Sequence, residues 1–96
     1  MAAYLVARIV VDDDAKYAEY RAQVPPVIAA HGGRYLVRGG AVETKEGDPP
    51  PGRLVVVEFP NMASARTFYS SAEYAPLLKL RLDSAESEVV FVEGAG

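Results

Sequence analysis

Leu54-Val55-Val56-Val57-Glu58-Phe59-Pro60-Asn61 decides how the rest of the chain is read. An apolar, largely β-branched run interrupted by one acid is the pattern of a strand, too short to be a helix of ordinary length. Pro60 cannot extend a hydrogen-bonded ladder, and Asn61 can cap a helix running from Met62 to about Ser70.

Upstream, Tyr4 to Val11 is a second β-branched run. Asp12, Asp13 and Asp14 follow it and are suited to cap a helix and to face its positive end. Tyr17, Tyr20, Val24, Val27, Ile28 and His31 then recur at spacings of three and four, one face of a helix. Pro25-Pro26 falls inside that pattern and predicts a kink, or a second helix beginning at the prolines. Gly32-Gly33 ends the helix. Arg34 to Val42 reads as the next strand, with a bulge at Gly39-Gly40. Glu43 to Gly52, containing Pro49-Pro50-Pro51, reads as an exposed connection. Downstream of Asn61, Ser70 with Glu73 forms a capping-box pattern. It opens a last helix with Tyr74, Leu77, Leu78 and Arg81 on one side. Glu88 to Glu93 is the final strand, and Gly94 to Gly96 a loose end.

The order β-α-β-β-α-β has one compact solution with right-handed crossovers: an α+β, ferredoxin-like domain whose four-stranded antiparallel sheet carries both helical segments on one face. Leu5, Ala7, Ile9, Tyr35, Val37, Val55, Val57 and Phe59 fall on the helix-covered side by alternation. Val6, Val10, Leu36 and Val56 fall on the other, which is left bare; an apolar patch there is expected to be covered by a second copy of the chain.

The 96 residues make one domain, residues 1–96, with half of them apolar. A formal charge of −3 and scattered basic residues argue against a polyanion partner, so no nucleic acid is expected. The third strand also lacks the aromatic and basic pattern of an RNA-stacking platform. No cysteine is present, which removes disulfides, thiolate nucleophiles and cysteine metal sites. No stretch has the length and apolarity of a membrane span or a secretory leader, and the expected compartment is the cytoplasm. No P-loop, dinucleotide-binding glycine motif, zinc-protease motif or nucleophile-elbow motif occurs, and no cofactor or metal is expected.

Three groups of residues carry candidate chemistry. By strand alternation Arg8, Arg38 and Glu58 share one face, with Arg38 roughly opposite Glu58. This admits a charge network that fixes register or dimer geometry, or an anion site using Arg38 with Glu58 as orienter or base. Tyr17, Tyr20, Tyr35, Tyr69 and Tyr74 supply either core bulk or an aromatic cleft between helices and sheet, with Phe68 and Tyr69 as one wall. His31, the single histidine, suits a helix C-terminus, with catalytic acid-base duty as the alternative. Arg81 and Asp83 read as solvated. The three aspartates of 12–14 read as capping rather than cation-binding.

Gly32-Gly33-Arg34-Tyr35-Leu36-Val37-Arg38-Gly39-Gly40, Val57-Glu58-Phe59-Pro60, then Ala65, Tyr69, Ser71, Glu73-Tyr74, Arg81 and the closing Val92-Glu93-Gly94 resemble the small bacterial family labelled domain of unknown function 1330. The Pro49-Pro50-Pro51 connection departs from it. The resemblance implies a dimeric α+β barrel related in fold to the antibiotic-biosynthesis monooxygenase superfamily. It implies no established activity. It also carries Arg38, Glu58, Tyr69, Tyr74 and Arg81 forward as pocket positions. With Tyr35 they form the candidate ligand site, and Arg38, Glu58, Tyr69 and His31 are the candidate catalytic residues. The functional expectations are two: a cofactor-independent enzyme or binder for a small apolar or weakly acidic molecule, or a non-catalytic homodimeric module.

Overall fold

The computed structural model describes residues 1–96. Seven elements follow in order: β1 (Ala3–Val11), α1 (Asp14–Ala30), β2 (Arg34–Arg38), β3 (Arg53–Phe59), α2 (Met62–Tyr69), α3 (Ala75–Ser84) and β4 (Ala85–Glu93). The strands form one antiparallel sheet in the order β2-β3-β1-β4, the ferredoxin-like arrangement. The three helices cover one face, and the molecule is a slab 16 Å thick and more than 30 Å across in its other directions.

Local chemistry sets the element ends. Asp13 caps α1, its Oδ1 accepting from Lys16 N at 3.1 Å, and Asn61 caps α2 through Ser64 N at 2.8 Å. At the far end of α1, Gly32 N donates to Ala29 O and Gly33 N to Ile28 O, with Gly32 at φ +79°. This is the reciprocal closure that a glycine in the left-handed region permits. The expected Ser70 capping box does not form: Ser70 Oγ turns back to Arg66 O, Ser71 Oγ accepts from Tyr74 N at 3.2 Å in the turn ahead of α3, and Tyr74 stands at the helix N-cap without a side-chain cap.

Three elements differ from the sequence expectation. α1 runs unbroken through Pro25 and Pro26. β4 begins three residues earlier than expected, at Ala85, because its whole length pairs with β1, from Val11↔Ala85 to Ala3↔Glu93. β2 stops at Arg38, and its irregularity lies between Tyr35 and Val37 rather than at Gly39-Gly40.

That bulge changes which way β2 faces. Tyr35 pairs with Val57 but Val37 pairs with Val56, so one residue is extra and the alternation flips. Val37 turns to the bare face, where it is 40% exposed. Arg38, opposite Val55, turns under α1. The core is otherwise the expected set: Leu5, Ala7, Ile9, Val55, Val57 and Phe59 from the sheet meet Tyr17, Val24, Ile28, Phe68, Tyr74 and Leu77 from the helices.

Candidate functional site

A cleft lies between α1 and the helix-covered face of the sheet, with a cavity volume of about 40 Å³. Of the 17 residues around it, 13 are hydrophobic and the other four are Arg21, Arg38, Arg53 and Arg81. No aspartate, glutamate or histidine lines it. The aromatic walls come from Tyr17 and Tyr20 on α1, Tyr35 on β2, Phe68 on α2 and Tyr74 just ahead of α3. The α1 residues share one face because they sit three and four apart.

The inner end is organised by Arg81, which is only 3% exposed. Its Nε donates to Tyr74 Oη at 3.4 Å, its Nη2 to Tyr69 Oη at 3.2 Å, and its Nη1 to Ser87 Oγ. Tyr20 and Tyr74 hydroxyls lie 2.9 Å apart. Arg81 forms no ion pair: its charge is met by hydroxyls alone. Burial opposes that charge, but the surrounding Tyr74, Tyr20 and Tyr69 outweigh it and its pKa rises. Tyr20 is pushed far above the ordinary tyrosine value, chiefly by burial and then by the neighbouring Tyr74 hydroxyl. Burial likewise raises Tyr35, against the opposing pull of Arg38. Both therefore stay protonated at neutral pH.

The outer end holds Arg38 and Arg53. Arg38 lies with its guanidinium carbon 4.7 Å from the centre of the Tyr35 ring, and its Nη2 donates to Arg21 O at 2.6 Å. Arg53 stands 5.6 Å from the Tyr17 ring, and its Nε is buried without a hydrogen-bond partner.

Tyr35, Arg38, Tyr74 and Arg81 thus meet in the cleft, and Tyr69 stands behind it as a partner of Arg81. Glu58 does not join them. It lies on the bare face, accepts from Arg34 Nε at 2.8 Å and from Tyr4 Oη at 3.2 Å, and faces Arg34 in the ladder. Its pKa is lowered, first by the hydrogen bond from Arg34. The expected Arg38–Glu58 opposition fails on register, since Glu58 pairs with Arg34 and Arg38 with Val55, and the β2 bulge further sends the Arg38 and Glu58 side chains to opposite faces. Arg8 pairs across the sheet with Glu88 at 3.1 Å, again on the bare face. His31 is outside the cleft: its Nδ1 donates to Val27 O at 2.9 Å and its ring packs edge-on to Phe68 at 5.8 Å. Arg81, solvated by its helix position alone but a pocket position by the family resemblance, is among the most buried polar residues, while Asp83 is held at the surface by Lys79 at 3.0 Å.

Two site residues escaped the sequence reading. Arg53 shares the alternation class of Val55 and Val57, which was a usable signal. Arg21 lies one turn after Tyr17 on the same helix face.

The family described as Domain of unknown function (DUF1330) matches residues 2–95. No curated protein matches the chain in sequence. Among solved structures, that of RPA0582, a protein of unknown function from Rhodopseudomonas palustris, aligns with a TM-score of 0.79 at 16% identity, covering 99% of this chain and 83% of that one. SnoaB, a cofactor-independent oxygenase from Streptomyces nogalater, aligns with a TM-score of 0.73 at 14% identity, covering 99% and 94%. At such identities the likeness is one of fold.

Proposed function

The chain belongs to the DUF1330 family, and on that premise we propose that it binds a small apolar anion in the cleft beneath α1. The observation that carries this reading is the charge of the lining: four arginines, of which Arg21 is exposed, and no carboxylate, in a chain of net charge −3. A cation in a low-dielectric cleft without a counter-ion is poorly solvated, and an incoming anion relieves that cost with charge-assisted hydrogen bonds. Aromatic and aliphatic walls select an apolar body for the same ligand.

The lining also constrains the chemistry. A general base near neutrality is what proton abstraction requires. The tyrosines of the cleft whose acidity is perturbed, Tyr20 and Tyr35, are shifted away from that range. The cleft is equipped to hold a negative charge and to donate hydrogen bonds to it. Any reaction there would act on a molecule that arrives as an anion or becomes one without help from a carboxylate or imidazole of the lining.

The module reading belongs to the other face, and the two are compatible. Val37, Val56, Val6 and Val90 pair in one row across all four strands. The Arg34–Glu58 and Arg8–Glu88 ion pairs flank that row on either side. A hydrophobic band between charged margins can meet its own copy across a twofold axis. The protein is therefore proposed as a homodimer through this face, and its mass in solution by light scattering checks that point.

Titration calorimetry with benzoate and with its neutral analogue benzamide tests the ligand reading. Benzoate is expected to bind at least tenfold more tightly, about 1.4 kcal/mol. Equal affinities, or no binding of benzoate, would remove the case for an anion site.

A further inference from the structure

In an α-helix the amide of residue 25 serves the carbonyl of residue 21. Pro25 has no N–H, so Arg21 O is left without its helical partner. Arg38 takes that place: its Nη2 donates to Arg21 O at 2.6 Å, reaching from β2 to the helix across the mouth of the cleft. The bond replaces the one that Pro25 removes from α1, which runs on through both prolines. The carbonyl freed by Pro26, that of Ala22, sits on an exposed residue that water can serve.

Arg53 is in the converse state. Its guanidinium lies between the Tyr17 ring and Gly39, and a Cβ added at Gly39 would collide with its Nη2 and lie 2.8 Å from its Cζ. So placed, its Nε is buried with no acceptor. A buried donor without a partner loses its hydration uncompensated, and native proteins leave few of them unexplained. One arginine at the mouth therefore has an acceptor it can relinquish, and its neighbour in the lining has none.

Resting on the reading of the cleft as a site for a small apolar anion, we propose that the ligand is an aromatic carboxylate whose carboxylate is received between Arg53 and Arg38. Arg53 is the fixed half of the clamp. Arg38 is the exchanging half, leaving Arg21 O for the ligand. A carboxylate is the better acceptor, since it carries a full negative charge and can take two parallel bonds from the guanidinium fork where the carbonyl takes one. The planar guanidinium fork matches a planar carboxylate, and tyrosine rings beside both arginines favour a flat aromatic body in a cavity this narrow. Arg21 is exposed, so water replaces Arg38 on its carbonyl when the exchange occurs. In the free protein the Arg38–Arg21 bond competes with the ligand, and the apparent affinity is the intrinsic one multiplied by the fraction of molecules in which Arg38 is free.

Benzoate titrations of the wild type, Pro25→Ala, Arg38→Met and Arg53→Met separate these points. Pro25→Ala returns an amide to Arg21 O and releases Arg38 from its helical duty; benzoate affinity is expected to rise about three- to tenfold. Arg38→Met and Arg53→Met, which keep the length of the side chain, are each expected to weaken benzoate at least tenfold while leaving benzamide unchanged. The Arg53 Nε–H resonance, followed by nuclear magnetic resonance, is expected to shift as benzoate saturates the wild type. If the wild type binds benzoate but Pro25→Ala binds it no more tightly, the exchange at Arg38 is wrong and the cleft reading survives. If Arg53→Met binds benzoate as the wild type does, or the wild type's Arg53 Nε–H resonance is unmoved at saturation, the clamp is wrong. If the wild type binds no benzoate, the cleft reading fails and this inference fails with it.

Discussion

Gly39 carries two constraints at once. Its φ of +71° lies in the left-handed region, and the space where a Cβ would stand is taken by the Arg53 guanidinium. Alanine at 39 is therefore expected to cost about 1–2 kcal/mol of stability from the backbone alone. It should also push Arg53 off its seat and weaken benzoate binding. Urea denaturation reads the first effect and calorimetry the second, and a stable variant with intact binding would mean that Arg53 is not held by Gly39. At this scale the sequence was legible wherever alternation or helical spacing settled orientation, as it did for Tyr35, Tyr74 and the aliphatic core. Arg81 was not. An arginine near a helix C-terminus ordinarily reaches water, and the hydroxyls that keep this one buried come from Tyr69 at the end of α2, Tyr74 in the turn before α3 and Ser87 on β4, which only the folding of these segments against one another brings together.

The ladder between β2 and β3 is the element on which the two functional faces depend. One extra residue between Tyr35 and Val37 sends Arg38 into the cleft and leaves Arg34 to meet Glu58 outside it. Glu58 has its pKa lowered from 4.5 by Arg34 and Tyr4, so its ionised form is favoured by folding. The sign follows: its contribution is complete above the unfolded value and is lost as pH falls below 4.5 through the lowered folded value. Stability measured by urea midpoints from pH 6 to pH 3 should thus decline in that window, and Glu58→Gln should flatten the decline. An unchanged slope in the variant would mean that the Arg34–Glu58 pair does not support the β2–β3 register. Strand existence was legible from β-branched runs at β1 and β3, and the cap at Asn61 located α2. A bulge leaves no such mark, because it is selected by pairing with a partner strand rather than by the residues it displaces. The continuity of α1 was hidden for a similar reason: the bond that replaces the one Pro25 removes comes from Arg38, a residue of another element.

For the whole molecule, the slab has one face closed by helices and one open, and its stability in solution turns on what meets the open one. Val37, Val90 and Val92 are 40%, 58% and 48% exposed there, beside the half-buried Val6 and Val56. Contiguous apolar surface of this kind is uncommon on a monomer. The bare face itself was legible from alternation, with Val37 and Arg38 misassigned beyond the bulge, and it is the feature on which the proposed second copy rests. Val90→Asp separates the face's role from the fold's. In an isolated chain Val90 is mostly in water, and such a substitution is expected to change stability by about 0.5 kcal/mol or less. In a twofold dimer the same change places two carboxylates in one apolar contact, where each must be desolvated without a partner. The expected result is a wild type of dimer mass and a Val90→Asp chain of monomer mass, both folded by circular dichroism. The variant should also become independent of protein concentration in its thermal midpoint, since folding would no longer be linked to association. If wild type and variant both run as monomers with the same concentration-independent midpoint, the valine row is simply exposed and the cleft must be understood as the property of a single chain.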